Sequence, residues 1–116
     1  MFQRLLDLFR GAPMVLKGSS KLPEGMSKKI DVGDPLAGGK QIVVCRLEGR
    51  LYALDVRCPH EGGRILDGPL VEGKLLRCPL HEYHFDPKTG APVRGACRPA
   101  TKYKVVEKDG DARIWV

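Results

Sequence analysis

Two short segments, Cys58-Pro59-His60 and Cys78-Pro79-Leu80-His81, constrain this chain more than any other feature. Each brings one thiol and one imidazole to nearly the same offset, in the pattern C-x-H-x17-C-x2-H. Thiolates and imidazoles are transition-metal ligands, and here two sulfurs and two nitrogens are divided evenly between two segments. Chance placement is a poor account, because the chain has only four Cys and three His and this one pattern takes two of each. Two chemistries remain open. A closed tetrahedral zinc site also uses two Cys and two His, but zinc modules usually pair their sulfurs in one C-x2-4-C knuckle and their nitrogens in one H-x3-5-H turn. In this chain each arm is mixed, which better suits a [2Fe–2S] cluster with one iron held by sulfur and the other by nitrogen.

The rest of the chain reads as short strands separated by turns, an all-β pattern without internal repeats. Gln41 to Leu47 is an apolar strand, Glu48-Gly49 a tight turn, and Arg50 to Asp55 a return strand with Leu51, Ala53 and Asp55 on one side and Tyr52 and Leu54 on the other. That hairpin leads into Cys58. Pro69 to Val71, the turn Glu72-Gly73 and Lys74 to Arg77 are expected to form a second hairpin leading into Cys78. Tyr83 to Asp86 leaves the second segment and Pro87-Lys88-Thr89-Gly90 is a strong turn. Lys102 to Lys108 and Asp111 to Val116, joined by Asp109-Gly110, make the last hairpin.

At 116 residues the chain is expected to form one domain with a modest core. Of the remaining thiols, Cys45 reads as a buried strand side chain and Cys97 lies in a Gly- and Pro-rich loop, so no disulfide framework is indicated and a reducing, cytoplasmic setting is expected. Residues 1–26 are set apart as a basic leader. Phe2, Leu5, Leu6 and Phe9 fall at helical spacing, Gly11 and Pro13 would end that helix, and residues 11–26 read as a linker. The short helix is expected to pack on the body of the domain, the alternative being docking or association with a membrane surface. No signal peptide is visible, and no apolar run approaches the ~18 residues of a membrane span. The net charge is +6; residues 1–30 supply Arg4, Arg10, Lys17, Lys21, Lys28 and Lys29 against Asp7 and Glu24. Nothing in the chain resembles a nucleic-acid-binding motif, and no G-x-G-x-x-G dinucleotide fingerprint is present.

The ligand pattern resembles that of the Rieske [2Fe–2S] family. The resemblance covers about residues 27–116 and is supported by Tyr83-x-Phe85-Asp86-x2-Thr89-Gly90, which is similar to the family's segment after the second ligand loop, and by Pro99-Ala100, which is similar to its proline loop. It implies an antiparallel β-sandwich or barrel with a small cluster-binding subdomain formed by two loops. It also implies that Cys58 and Cys78 hold the inner iron and that His60 and His81 hold the outer one, at the solvent-facing tip. High-potential members carry an additional Cys in each loop; here Gly63 and Leu80 stand instead, as in the low-potential, ferredoxin-like branch. A second departure is Glu82, where that branch usually places Gly.

What the resemblance implies about function follows from charge. With two neutral imidazoles in place of two thiolates, the oxidised centre has no net charge, so it accepts an electron more readily than an all-Cys cluster. An oxygenase would need a second, mononuclear iron held by two His and a carboxylate, and only His84, read here as a strand side chain, is left over. The expected function is therefore electron transfer, from a reductase to a terminal oxidoreductase, plausibly an oxygenase, with no catalytic residue of its own. A small subunit of a nitrite reductase type is the alternative, and a structural zinc module a remote one.

Overall fold

A computed structural model of the protein describes residues 13–33, 39–59 and 62–116. The helix expected over residues 1–10 lies outside the described residues, as do His60 and Glu61. Among the described residues, ten strands form two sheets. They are β1 (Met14–Leu16), β2 (Met26–Val32), β3 (Lys40–Leu47), β4 (Arg50–Asp55), β5 (Gly68–Pro69), β6 (Leu76–Cys78), β7 (Tyr83–Phe85), β8 (Pro92–Arg94), β9 (Lys102–Lys108) and β10 (Asp111–Trp115). The larger sheet has the order β1-β10-β9-β4-β3-β2-β5 and the smaller β6-β7-β8; all pairings are antiparallel. The architecture is the all-β one expected. Among the described residues, no helix is long and apolar enough to cross a membrane.

The hairpin β3–β4 organises both cores. Successive side chains of a strand point to opposite faces, and along β3 both faces are covered. Ile42 and Val44 join Leu51, Ala53, Tyr103, Ala112 and Ile114 inside the curled larger sheet. Val43 and Cys45 face the other way and meet Leu54, Cys58, Ile65, Leu76, Cys78 and Phe85 beneath the smaller sheet. Burial on both faces accounts for the unbroken apolar run Ile42-Val43-Val44-Cys45, where a half-exposed strand would alternate. The turns at Glu48-Gly49 and Asp109-Gly110 have positive φ at both residues, the twist that favours two-residue hairpins.

Two expectations need correction. Glu72-Gly73 is a turn, but the second hairpin shrinks to the single bridge Val71↔Leu75. Its arms pair elsewhere: Gly68–Pro69 adds to β2, and Leu76–Cys78 pairs with β7. The expected linker over 11–26 is, in its described part, integral to the sheet. Met14 to Leu16 pair with Ile114 to Ala112, and a 3-10 turn at Ser19–Lys21 follows. Ser19 is buried and donates from Oγ to Glu107 (2.8 Å).

What fixes that segment is Arg46, itself only 9% exposed. Its guanidinium donates to the carbonyls of Ser19 (2.9 Å), Leu22 (3.1 Å) and Gly49 (3.2 Å) and to both carboxylate oxygens of Glu107 (2.7 and 3.0 Å). A bidentate pair that also satisfies backbone acceptors is the geometry in which a largely buried ion pair is retained. Arg46→Leu removes this donor from three carbonyls and leaves Glu107 with the Ser19 hydroxyl as its remaining partner. It is expected to cost about 2 kcal/mol, below the range for a fully buried pair because Glu107 is partly open to solvent. Chemical denaturation checks this, and proteolysis should then cut first within residues 13–25.

Candidate metal centre

Each ligand segment is placed by the strand before it. After β4, Val56 donates to Gln41 O (3.0 Å) and Ile65 returns to Val56 O (2.8 Å), so the first loop leaves and re-enters at one point. Within it the Cys58 N–H donates to Gly63 O (2.8 Å), turning the thiol inward. Leu66 N–H then donates to Arg77 O (2.8 Å), which ties the exit of the first loop to the residue preceding Cys78. The two loops therefore lie side by side, and Cys58 and Cys78 are both buried in one apolar core with Val43, Leu54, Ile65 and Phe85.

Gly63 is what allows this approach. A Cβ there would come within 2.5 Å of Cys78 Sγ and 3.0 Å of Leu80 Cβ. Positions 63 and 80, where the high-potential branch is expected to carry its extra cysteines, thus face each other across the loops. Tyr83, Cys97 and Tyr52 pack against the same core. Gly95 closes a third side, since a Cβ on it would strike the Tyr83 ring at 2.4 Å, and Gly90 receives the Pro99-Ala100 loop, with Ala100 N–H donating to Gly90 O (2.8 Å). Cys45 lies fully buried in this core, and burial, the first cause, pushes its thiol up to about 12, so it stays protonated.

The second loop turns sharply outward. His81 and Glu82 have φ of 63° and 56°, and His81 is exposed. The imidazole is thereby brought to the surface one turn beyond the buried thiol of Cys78. His60, the matching residue of the first loop, lies outside the described residues. Among the described residues, no group of three His, Cys, Asp or Glu side chains surrounds a single point. The donor chemistry fits a [2Fe–2S] cluster: two soft sulfurs sit in a water-poor core and a nitrogen donor at its outer edge.

Glu82 is half-open to water, but its carboxylate is paired. The φ of 56° accounts for the usual Gly at this place, which adopts such a φ without steric cost. The Glu82 carboxylate folds back onto Arg77, one oxygen accepting from Nε at 2.7 Å and the other from the second guanidinium nitrogen. His84, a strand residue as expected, places Nε2 3.6 Å from the same carboxylate, too far for a hydrogen bond. A similar pairing precedes Cys58. Asp55, 3% exposed, accepts from Tyr103 Oη (2.8 Å) and from the guanidinium of Arg57 (3.1 Å to each oxygen). Burial raises the Asp55 pKa, but these hydrogen bonds outweigh it and the net direction is downward. Sequence reasoning missed both pairs, although a carboxylate and an Arg within five positions of a ligand are a usable signal.

The Arg77 hydrogen bonds hold Glu82 at about 2, against an ordinary 4.5. A depressed carboxylate pKa contributes stability above its unfolded value, and that contribution is lost as pH falls through the folded one. The stability difference between wild type and Glu82→Gln is therefore expected to be constant above about pH 5 and to shrink between 4.5 and about 2. Denaturation midpoints measured across that range check it; a difference that persists unchanged to pH 2 contradicts the ion pair.

Comparison with known proteins bears on the same site. The model of the Rieske [2Fe-2S] domain matches residues 12–106. The ferredoxin component of the naphthalene 1,2-dioxygenase/salicylate 5-hydroxylase systems of Ralstonia sp is 40% identical over 81 residues, which are 70% of this chain and 69% of that one. The 3-phenylpropionate/cinnamic acid dioxygenase ferredoxin subunit of Photorhabdus laumondii is 33% identical over 100 residues, covering 83% of this chain and 87% of that protein. Among solved structures, the ferredoxin of carbazole 1,9a-dioxygenase from Nocardioides aromaticivorans IC177 superposes with a TM-score of 0.74 at 26% identity, over 90% of this chain and 97% of its own. With two loops meeting over one thiol-bearing core and a family model spanning most of the sequence, the chain belongs to the Rieske [2Fe-2S] domain family.

Proposed function

We propose that the protein is a Rieske-type ferredoxin: a one-electron carrier between a reductase and a terminal oxidoreductase of the dioxygenase kind. The relatives named above are ferredoxin components of dioxygenase systems and support this reading over that of a nitrite reductase small subunit. The observation that carries it is the separation of donors within one short stretch of chain, with thiols buried in a shared apolar core and His81 exposed one turn beyond.

In this reading Cys58, Cys78, His60 and His81 hold one [2Fe–2S] cluster per chain. When bound, the cluster supplies a reversible one-electron couple at a potential set by its ligands, hydrogen bonds and exposure. The chain's own contribution is positional. The β3–β4 hairpin and β6 deliver the thiols to the core, Gly63 allows the loops to close, and Gly95 and Ala100 keep the third side shut. Removing water from the sulfur side lowers the local dielectric, so each nearby charge acts more strongly on the couple. Pairing Asp55 with Arg57 and Glu82 with Arg77 screens the two nearby carboxylates. His81 at the surface offers the short path for the electron. A cytoplasmic location accords with Cys45 and Cys97, the two thiols outside the ligand set, standing without a disulfide.

Purified protein reconstituted with iron and sulfide under anaerobic conditions is expected to show a broad visible charge-transfer absorption and, after reduction, a rhombic electron paramagnetic resonance signal. Cys58→Ser or Cys78→Ser should abolish both. Wild-type protein that stays colourless and takes up zinc in place of iron would refute the assignment.

A further inference from the structure

Three stretches of chain surround the end of the molecule that carries the proposed ligands: the two ligand loops and the segment that follows β8. In the sequence, residues 57–66, 77–82 and 94–98 hold Arg57, Arg64, Arg77, Arg94 and Arg98 against Glu61 and Glu82, an excess of cations over carboxylates. Arg57 is committed to Asp55, and Arg77 to Glu82. Arg64, Arg94 and Arg98 are exposed and, among the described residues, have no carboxylate within ion-pair distance.

Their places in the fold are specific. Arg64 follows the Gly63 that packs on Cys78 Sγ and bridges to Arg57 beside Cys58. Arg94 ends β8 opposite His84. Arg98 follows Cys97, whose side chain packs on the core of Cys58 and Cys78. Within this set lies an apolar spot, Leu80, 37% exposed and adjacent to His81. An apolar centre with a rim dominated by one charge sign is the pattern of a steered, transient protein contact.

We infer that this end docks a protein partner through a carboxylate-rich surface, with Arg64, Arg94 and Arg98 pairing its acidic groups and Leu80 seated at the centre of the contact. The inference rests on the reading of the chain as an electron carrier and adds the chemistry of the partner. Guanidinium groups suit the task, because their planar fork matches carboxylates in two-point contacts. Nucleic acid fits less well, since residues 57–66, 77–82 and 94–98 contain no Phe, Tyr or Trp on which a base would stack.

Two charge-matched variants test it. One replaces Arg64, Arg94 and Arg98 with Gln; the other replaces Lys21, Lys108 and Arg113, exposed residues of the 3-10 turn after β1 and of the β9–β10 hairpin, with Gln. A fluorescently labelled glutamate decapeptide is titrated with each protein at low salt and followed by anisotropy, a readout that needs no electron transfer. The first variant is expected to weaken binding by about tenfold and the second by less than about threefold, because short-range pairing outweighs net-charge steering. The peptide should also slow oxidation of the reduced wild-type protein by hexacyanoferrate(III), an anion drawn to the same arginines, and salt should relieve the effect. Equal weakening by both variants would reduce the contact to net charge and overturn the inference. So would a DNA oligomer of matched charge that binds as tightly and with the same dependence on the three arginines. Absence of a [2Fe–2S] spectrum from the wild type would count against the carrier reading alone, since peptide binding is measured without it.

Discussion

The fold depends on a single hairpin being buried on both faces. Because β3 and β4 alternate their side chains between two cores, the barrel interior and the thiol-bearing core beneath the smaller sheet share one wall. Cys45 and Val43 are part of the floor on which Cys58 and Cys78 rest, while Ile42 and Val44, one residue away on each side, seal the opposite core. A slip of one residue in the β3–β4 register would exchange these faces, so register is strongly specified. The accuracy with which the first ligand loop is aimed follows from this constraint, since Val56, directly after β4, is bonded to Gln41 at the start of β3. The redox end is thus an extension of the stiffest part of the sheet.

Legibility in the sequence followed the range of the interactions. The turns at Glu48-Gly49 and Asp109-Gly110 and the strands beside them were readable because a two-residue turn and its alternating flanks are local signals. The pairing around Glu72-Gly73 was not. The same signal is present there, but Pro69 and Leu76 are drawn to β2 and β7, partners distant in sequence that local spacing cannot reveal. Met14 to Leu16 was hidden for a related reason: an edge strand paired on one side needs no apolar alternation, and its neighbours are polar and Gly-rich. Arg46 was the least legible of all. It stands in an apolar strand as an apparent exception, and only the fold shows that it collects three backbone carbonyls and Glu107.

The candidate ligands were readable by number because their chemistry is rare and their spacing regular. Their surroundings were not. Gly63 reads as an ordinary loop glycine until the structure places Cys78 Sγ where its Cβ would be. Glu82 reads as a charge beside a ligand, and that charge is cancelled once Arg77, five residues back, is seen to face it across the turn made by His81 and Glu82. Positive φ at two successive non-glycine residues is unfavourable, and the ion pair holds the outward turn of His81 in place of the glycine that would adopt it freely.

That substitution links the structure of the second loop to its electrostatics. A glycine at position 82 would leave Arg77 uncompensated, whereas a glutamate facing solvent would add a negative charge beside the exposed imidazole. The pair Arg77–Glu82 gives a rigid turn with little net charge, and Arg57–Asp55 does the same at the first loop. Once both pairs cancel, the charge of the redox end is set mainly by the arginines that remain, and those lie on the surface, where salt screens them and partners reach them. Compensating the charges beside the ligand segments and leaving the outer arginines uncompensated separates two tasks. The inner pairs bear on the potential, and the outer arginines bear on encounter, so either set can change in sequence with little cost to the other.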